Sequence, residues 1–328
     1  MPKVETVTGP VDSSVLGRTY MHEHVFVLSA EAQQNYPEEW DEEVRVADAV
    51  SRLRALLNAG IGTIVDPTVL GLGRYIPRIQ RIGELVPELN IVVATGCYTW
   101  SDVPFFFSGR TVEQEALLGR PPVDPMIEYF TRDITEGIAR TGVRAGMLKC
   151  AIHRQGMTEG VERVMRAVAR VHRRTGVPIT IHTYPATRQG LKAQRLIDEE
   201  GVDPTRVVLG HSGDSTDPDH LEHLARAGFM LGMDRFGSYL DSTMRSRAAM
   251  VVELCNRGFA SNMVLSHDTG CYIDWLDPGA MSQRPDWHYL HVVNEVLPYL
   301  LDEGVSQEQI NMMMVENPRR ILEPTSPY

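Results

Sequence analysis

Tyr20-Met21-His22-Glu23-His24-Val25-Phe26 sets two histidines, two residues apart, inside a short apolar run. Alternate side chains of a β-strand leave the same face, so His22 and His24 point one way and their imidazoles can converge on one divalent cation. A histidine pair on a solvated strand edge has the same spacing, and the heptapeptide alone leaves both readings open. The rest of the chain narrows the choice.

After a polar loop over 29–40, a helix over 42–58 carries Val46, Val50, Leu53 and Leu57 on one face and stops at Gly60. Strand-type runs then recur at 61–69, 90–96, 145–150, 179–183, 207–211, 230–233 and 263–266. Each is followed by a helix-period segment, among them 74–86, 125–140 and 159–175. With the histidine strand these make eight βα units, which predicts a (β/α)8 TIM barrel formed by a single domain over residues 1–328. A doubly wound open sheet alternates in the same way, but no Gly-x-Gly-x-x-Gly or Walker-type loop follows an early strand. Residues 3–16, with a Thr-Gly-Pro turn, predict a short N-terminal β-hairpin ahead of the barrel. A tail helix over 307–316 is expected to stop at Asn317-Pro318, since proline cannot continue it.

A chain of 328 residues, 43% of them apolar, can bury a large core. Its formal net charge of −11 argues against a nucleic-acid partner, which favours a basic face. Met1-Pro2-Lys3-Val4-Glu5 lacks the apolar stretch of a signal peptide, and no segment approaches the roughly 20 apolar residues of a membrane span. A cytoplasmic protein without a membrane partner is expected. Cys97, Cys150, Cys255 and Cys271 are scattered with no Cys-x-x-Cys pair, as reduced thiols would be.

Side chains at the C-terminal ends of barrel strands converge on one mouth. His22 and His24 close the first predicted strand, Lys149 the fourth, His182 the fifth and His211 the sixth, and Asp268 follows the eighth; four of the 11 histidines thus fall at strand ends. Imidazoles with one carboxylate suit zinc, cobalt, manganese or iron and leave coordination positions open, the pattern of a catalytic site. Lys149 fits beside cations if, while neutral, it reacts with carbon dioxide to give a carbamate that bridges two metals. The other account is an ordinary lysine with its ammonium at the surface. His172, His220 and His223 fall on charged helix faces and are expected in solvent, while His153 follows the fourth strand by a loop. His267 points to the side opposite Asp268, and His288 and His291 read as structural. Asp66, next to Pro67, reads as a turn or cap residue, and Asp214 as a partner of a ligand or base.

Met21-His22-Glu23-His24, Leu148-Lys149-Cys150, Thr180-Ile181-His182-Thr183, Gly210-His211-Ser212-Gly213-Asp214, Gly232-Met233-Asp234-Arg235-Phe236-Gly237 and Ser266-His267-Asp268 form an ordered set. It closely resembles that of the phosphotriesterase-like lactonases of the amidohydrolase superfamily. The resemblance continues to Glu316-Asn317-Pro318-Arg319-Arg320 and so spans nearly the whole chain. It implies that His22, His24 and Asp268 hold a more buried metal and His182 and His211 an outer one, zinc by preference, with Lys149 bridging them as N6-carboxylysine. Tyr98 and Arg235 match positions that lie against the bound lactone or the bridging water. Cys271, Ile273 and Trp275 match the loop that lines an acyl-chain channel. A homodimer is implied as well. Tyr184 stands where many relatives have a second histidine, Ser212 replaces a frequent cysteine, and Thr269-Gly270-Cys271 is smaller than its counterpart. None of these departures removes a metal ligand, so they bear on substrate preference.

The activity so implied is hydrolysis of N-acyl homoserine lactones and related γ- and δ-lactones, with organophosphate triesters as a weaker side activity. Two metals would lower the pKa of a bound water toward about 7, and the hydroxide would attack the lactone carbonyl. Tyr98 and Arg235 would help to steady the oxygen's charge, and Asp268 would carry the proton toward the leaving alkoxide. Phe105, Phe106, Phe107, Tyr272, Trp275 and Trp287 fall on loops at this end, where they can shield an acyl tail, pack between loop and barrel or form a dimer patch. A dedicated phosphotriesterase would use the same ligands, whereas a barrel that merely binds a ligand would be expected to have lost some.

Overall fold

The hairpin expected ahead of the barrel is present as β1 (Lys3–Val4) and β2 (Val11–Asp12), paired antiparallel. The structure is a computed structural model and describes residues 2–238, 242–276 and 283–328. Next come β3 (Arg18–Tyr20), β4 (His24–Val27), β5 (Ile61–Asp66), β6 (Asn90–Gly96), β7 (Met147–Ile152) and β8 (Ile179–Thr183). They are followed by β9 (Val207–Gly210), β10 (Met230–Met233), β11 (Met263–Leu265) and β12 (Gly270–Ile273). One eight-stranded parallel sheet runs β3-β5-β6-β7-β8-β9-β10-β11, with helices between successive strands.

Backbone N–H groups hydrogen-bond across the seam between the two ends of this sheet. The Asp268 N–H donates to the His22 carbonyl at 3.1 Å, the His22 N–H to Ser266 Oγ at 2.9 Å, and β4 pairs parallel with β12. The seam therefore closes the eight strands into a (β/α)8 barrel. Alternation along each strand sorts the core into two layers. Val65, Val92, Ala94, Met147, Val208 and Val264 fill the barrel, and Ile64, Val93, Leu148, Ile181, Leu209 and Leu231 face the helices.

Three local expectations need correction. The helix Glu42–Asn58 has the predicted bounds, but its buried face is Val46, Ala49, Leu53 and Leu56, with Val50 and Leu57 at the half-buried edge. The helix from Pro125 ends at Thr135, because Gly137, Ala139 and Arg140 adopt positive φ and turn the chain toward β7. Pro318 does not stop the tail. The turn Met312–Glu316 widens to π geometry and the helix resumes as Asn317–Leu322, and Val292–Val296 does the same ahead of Pro298. A π turn shifts the hydrogen-bond register, which accommodates the missing proline N–H.

Candidate active site

The histidine motif is not one continuous strand: β3 ends at Tyr20, His22 sits in a bend and His24 opens β4. The two rings converge all the same. His22 Nε2 and His24 Nε2 lie 3.3 and 3.4 Å from the same Asp268 oxygen, Oδ1. Glu23, the residue between them, points the other way and is fully buried. Its Oε1 accepts from the His267 backbone N–H at 2.8 Å and from the His267 ring at 2.6 Å, and its Oε2 accepts from the Thr269 N–H at 3.3 Å. This carboxylate thus brackets Asp268 from both sides and holds it at φ 52°, a left-handed conformation that a non-glycine residue keeps only when its surroundings impose it.

Asp234, directly after β10, orients two more nitrogens. It accepts from His22 Nδ1 at 2.9 Å and from His211 Nδ1 and the His211 backbone N–H at 2.9 and 2.7 Å. Both rings then carry their protons on Nδ1, which leaves Nε2 as the lone-pair donor, turned toward Lys149 in His22 and toward His182 in His211. His22, His211 and Asp234 lie close enough together to form a cation site of their own, but these hydrogen bonds make Asp234 a scaffold behind the rings rather than a ligand. His24 is braced in the same manner: Nδ1 lies 2.7 Å from Thr68 Oγ1, which in turn donates to Asp66.

Lys149 is buried on β7, its Nζ 3.3 Å from His22 Nε2, and desolvation lowers its pKa to about 8. The neighbouring strand approaches so closely that a Cβ on Gly96 would sit 1.9 Å from the Lys149 carbonyl oxygen. Only glycine fits there. His182 lies one residue before the end of β8 and faces His211, Nδ1 to Nε2 at 2.7 Å, and its own Nε2 is buried without a hydrogen-bond partner among the described residues.

The donor set fits divalent cations. His22, His24 and Asp268 present one nitrogen or oxygen each within 4.8 Å of one another. Burial disfavours a charged His24, yet Asp268 and Asp66 outweigh it and raise the pKa to about 9, so positive charge is favoured where the three side chains meet. Asp268 itself is held well below the usual carboxylate range, burial being outweighed by His22 and His211. Arg235 Nε donates to Asp268 Oδ2 at 3.1 Å.

The Asp214 backbone N–H donates to the His211 carbonyl at 3.0 Å, while its carboxylate turns to two arginines. It bridges Arg235 at 3.0 Å and the buried Arg247 at 2.7 Å, so it steadies the arginine that holds Asp268. Tyr98 lies edge-on to His182 with its hydroxyl 3.5 Å from Nδ1.

These groups open into a cavity of about 350 Å³ whose wall includes Tyr98, Ile273, Trp275 and Trp287. Cys271 is not on that wall: its thiol lies against the Tyr289 hydroxyl, whose other contact is the His24 carbonyl. Phe107 packs into the core beside Phe130, Phe105 and Phe106 face solvent, and Tyr272 stacks on Arg45, so none of the four lines the cavity.

His153 does line it, in a column with Trp100 and His182 at ring separations of 4.5 and 5.3 Å. It follows the end of β7 immediately. A strand drawn two residues too short hid it, and the same strand-end rule would have found both His153 and Asp234. His172 and His220, expected in solvent, are buried instead, His172 with both ring nitrogens hydrogen-bonded.

The sequence profile described as the Phosphotriesterase family matches residues 2–322. The chain is 53% identical, over the full length of both, to the phosphotriesterase homology protein of Mycobacterium tuberculosis. A solved structure titled as the phosphotriesterase from that organism superposes with a TM-score of 0.94 at 52% identity, covering both chains fully. An aryldialkylphosphatase of Saccharolobus solfataricus is 34% identical over 94% of this chain and 96% of its own. On this similarity the chain belongs to the phosphotriesterase family.

Proposed function

We propose that the chain is a binuclear metal-dependent lactonase. It opens N-acyl homoserine lactones and related γ- and δ-lactones and hydrolyses phosphotriesters of the paraoxon type as a side activity. One observation carries this reading: the cation-competent donor set shares a single cavity with an apolar wall that includes Val27, Leu72, Ile273 and Leu276. Divalent cations on His22, His24 and Asp268 and on His182 and His211 would polarise the substrate oxygen and acidify a water.

The side chains do the rest. Lys149, with its pKa lowered to about 8, is neutral in a usable fraction of molecules near pH 7. Addition of its Nζ lone pair to the carbon of carbon dioxide, with loss of one proton, would give an anionic carbamate able to hold a cation at either position. Asp268, kept ionised and oriented by Arg235, takes the proton from the attacking water and returns it to the leaving alkoxide. Tyr98, whose pKa burial raises to about 12, stays protonated and donates toward the developing oxyanion. The apolar wall covers the acyl tail.

A dedicated phosphotriesterase is the second reading, favoured by the relative named aryldialkylphosphatase. Metal-reconstituted enzyme assayed on lactones of varied ring size and acyl length beside paraoxon separates the two. At least one lactone should exceed paraoxon in kcat/KM by about tenfold or more, roughly 1.4 kcal/mol in the barrier. The reverse order favours the second reading, and metal-loaded protein that turns over neither class ends both.

A further inference from the structure

Arg284 stands half-buried on the cavity wall, its guanidinium carbon 5.4 Å from the centre of the Trp287 ring. The other basic side chains there already have partners: Lys149 lies against His22, and Arg235 is held by Asp268 and Asp214. Arg284 has no carboxylate or carbonyl partner among the described residues. Asp268 is the one carboxylate on the wall among those residues, and Arg235, His22 and His24 share it.

A guanidinium lying over an indole is held by its face, which leaves its N–H edges free to a second ligand. Those edges match an oxyanion bidentately. The chain as a whole carries a formal charge of −11, so a guanidinium on the wall of the cavity that holds the reacting groups, without a carboxylate partner among the described residues, is a local reversal of sign that concentrates anions there. A neutral acyl tail would gain nothing from it.

We propose that the cavity selects substrates carrying a carboxylate remote from the scissile bond, and that Arg284 is the residue that recognises it. The assignment rests on the proposed lactonase reading only for the identity of the bond that breaks.

The test compares two δ-lactones whose side chains end in a carboxylate or in the isosteric carboxamide. The metal-loaded enzyme is expected to favour the carboxylate by about tenfold to a hundredfold in kcat/KM, the range of a charge-assisted hydrogen bond. Added salt should shrink that preference. Arg284→Met should bring the ratio close to one through KM, and Arg284→Lys, which keeps charge but loses the planar fork, should retain part of it. Far-UV circular dichroism and metal content check that both variants fold. An unchanged ratio in Arg284→Met overturns the proposal.

Calorimetric binding of adipate against adipamide gives a readout that needs no turnover. If no lactone is opened but the adipate preference disappears in Arg284→Met, the lactonase reading fails and the anion site stands. If lactones are opened while adipate is bound no better than adipamide, the anion site fails alone.

Discussion

The two ends of the barrel bury polar side chains of similar kinds and use them differently. At the N-terminal end, Arg206 donates to the carbonyls of Arg320 and Ile321 at 2.6 and 2.7 Å, and Ser13 donates to Glu323 at 2.6 Å. His172 there places one ring nitrogen 2.7 Å from the Val177 carbonyl and the other 2.8 Å from the Tyr328 hydroxyl. These groups tie the last residues of the chain to the barrel floor. At the other end, His211 and Asp268 hold left-handed φ of 65° and 52°, and His182 keeps a buried nitrogen without a partner among the described residues. Such backbone costs about 1–3 kcal/mol per residue. Side chains at the floor point at the protein, and those at the rim point at one another and into a cavity, so stability and chemistry sit at opposite ends.

The sharpest test of that division is Asp268→Asn. Asparagine tolerates left-handed backbone, so the fold should persist while the proton acceptor is lost. Turnover of lactone and phosphotriester alike should fall by about a thousandfold, the span of positioned acid–base catalysis, with little change in the urea midpoint. Retained lactone hydrolysis would refute the role given to Asp268.

Glu23→Ala blurs the division on purpose, since Glu23 lies at the rim yet acts as a fastener. Removing its carboxylate strands the N–H groups of His267 and Thr269 and the His267 ring, at a cost of about 2–5 kcal/mol. Both the urea midpoint and the bound metal should drop, because the Asp268 backbone loses its bracket. Glu23→Gln keeps an acceptor and should recover much of the stability. A Glu23→Ala protein with normal stability and normal metal content would leave Glu23 without the positioning role.

Strand ends were the legible part of this chain. The positions of His22, His24, Lys149, His182, His211 and Asp268 follow from a periodicity that repeats and from the rule that strand termini share one mouth. The hidden part depends on contacts between distant residues. Glu23 meets His267 across 244 positions of sequence, and Asp234 joins His22 to His211, relations that no local pattern carries. Spacing could not tell the channel aromatics from the packing ones, because exposure on a loop is decided by packing: Trp275 and Trp287 line the cavity, while Phe105, Phe106 and Phe107 are consecutive, yet only the last is buried. Pro318 misled because a π turn ahead of a proline leaves no mark in hydrophobic spacing.

The smallest effect is expected at the floor. Burial lowers the pKa of His172 from its ordinary value near 6.5. The unfolded chain then takes up a proton that the folded one refuses, so the unfolded state holds more protons in the window between the lowered folded pKa and 6.5. Stability from this residue is complete at pH 7 and above and is lost as pH falls toward the folded pKa, by at most about 1.4 kcal/mol per pH unit. His172→Gln removes the titration. The gap between wild type and variant, read from urea melts, should therefore be widest near pH 7.5 and narrow steadily toward pH 5. A gap that stays constant across that range would remove the buried neutral imidazole from the account. A fall in kcat at pH 7.5 beyond about twofold would mean that the floor of the barrel is coupled to its rim after all.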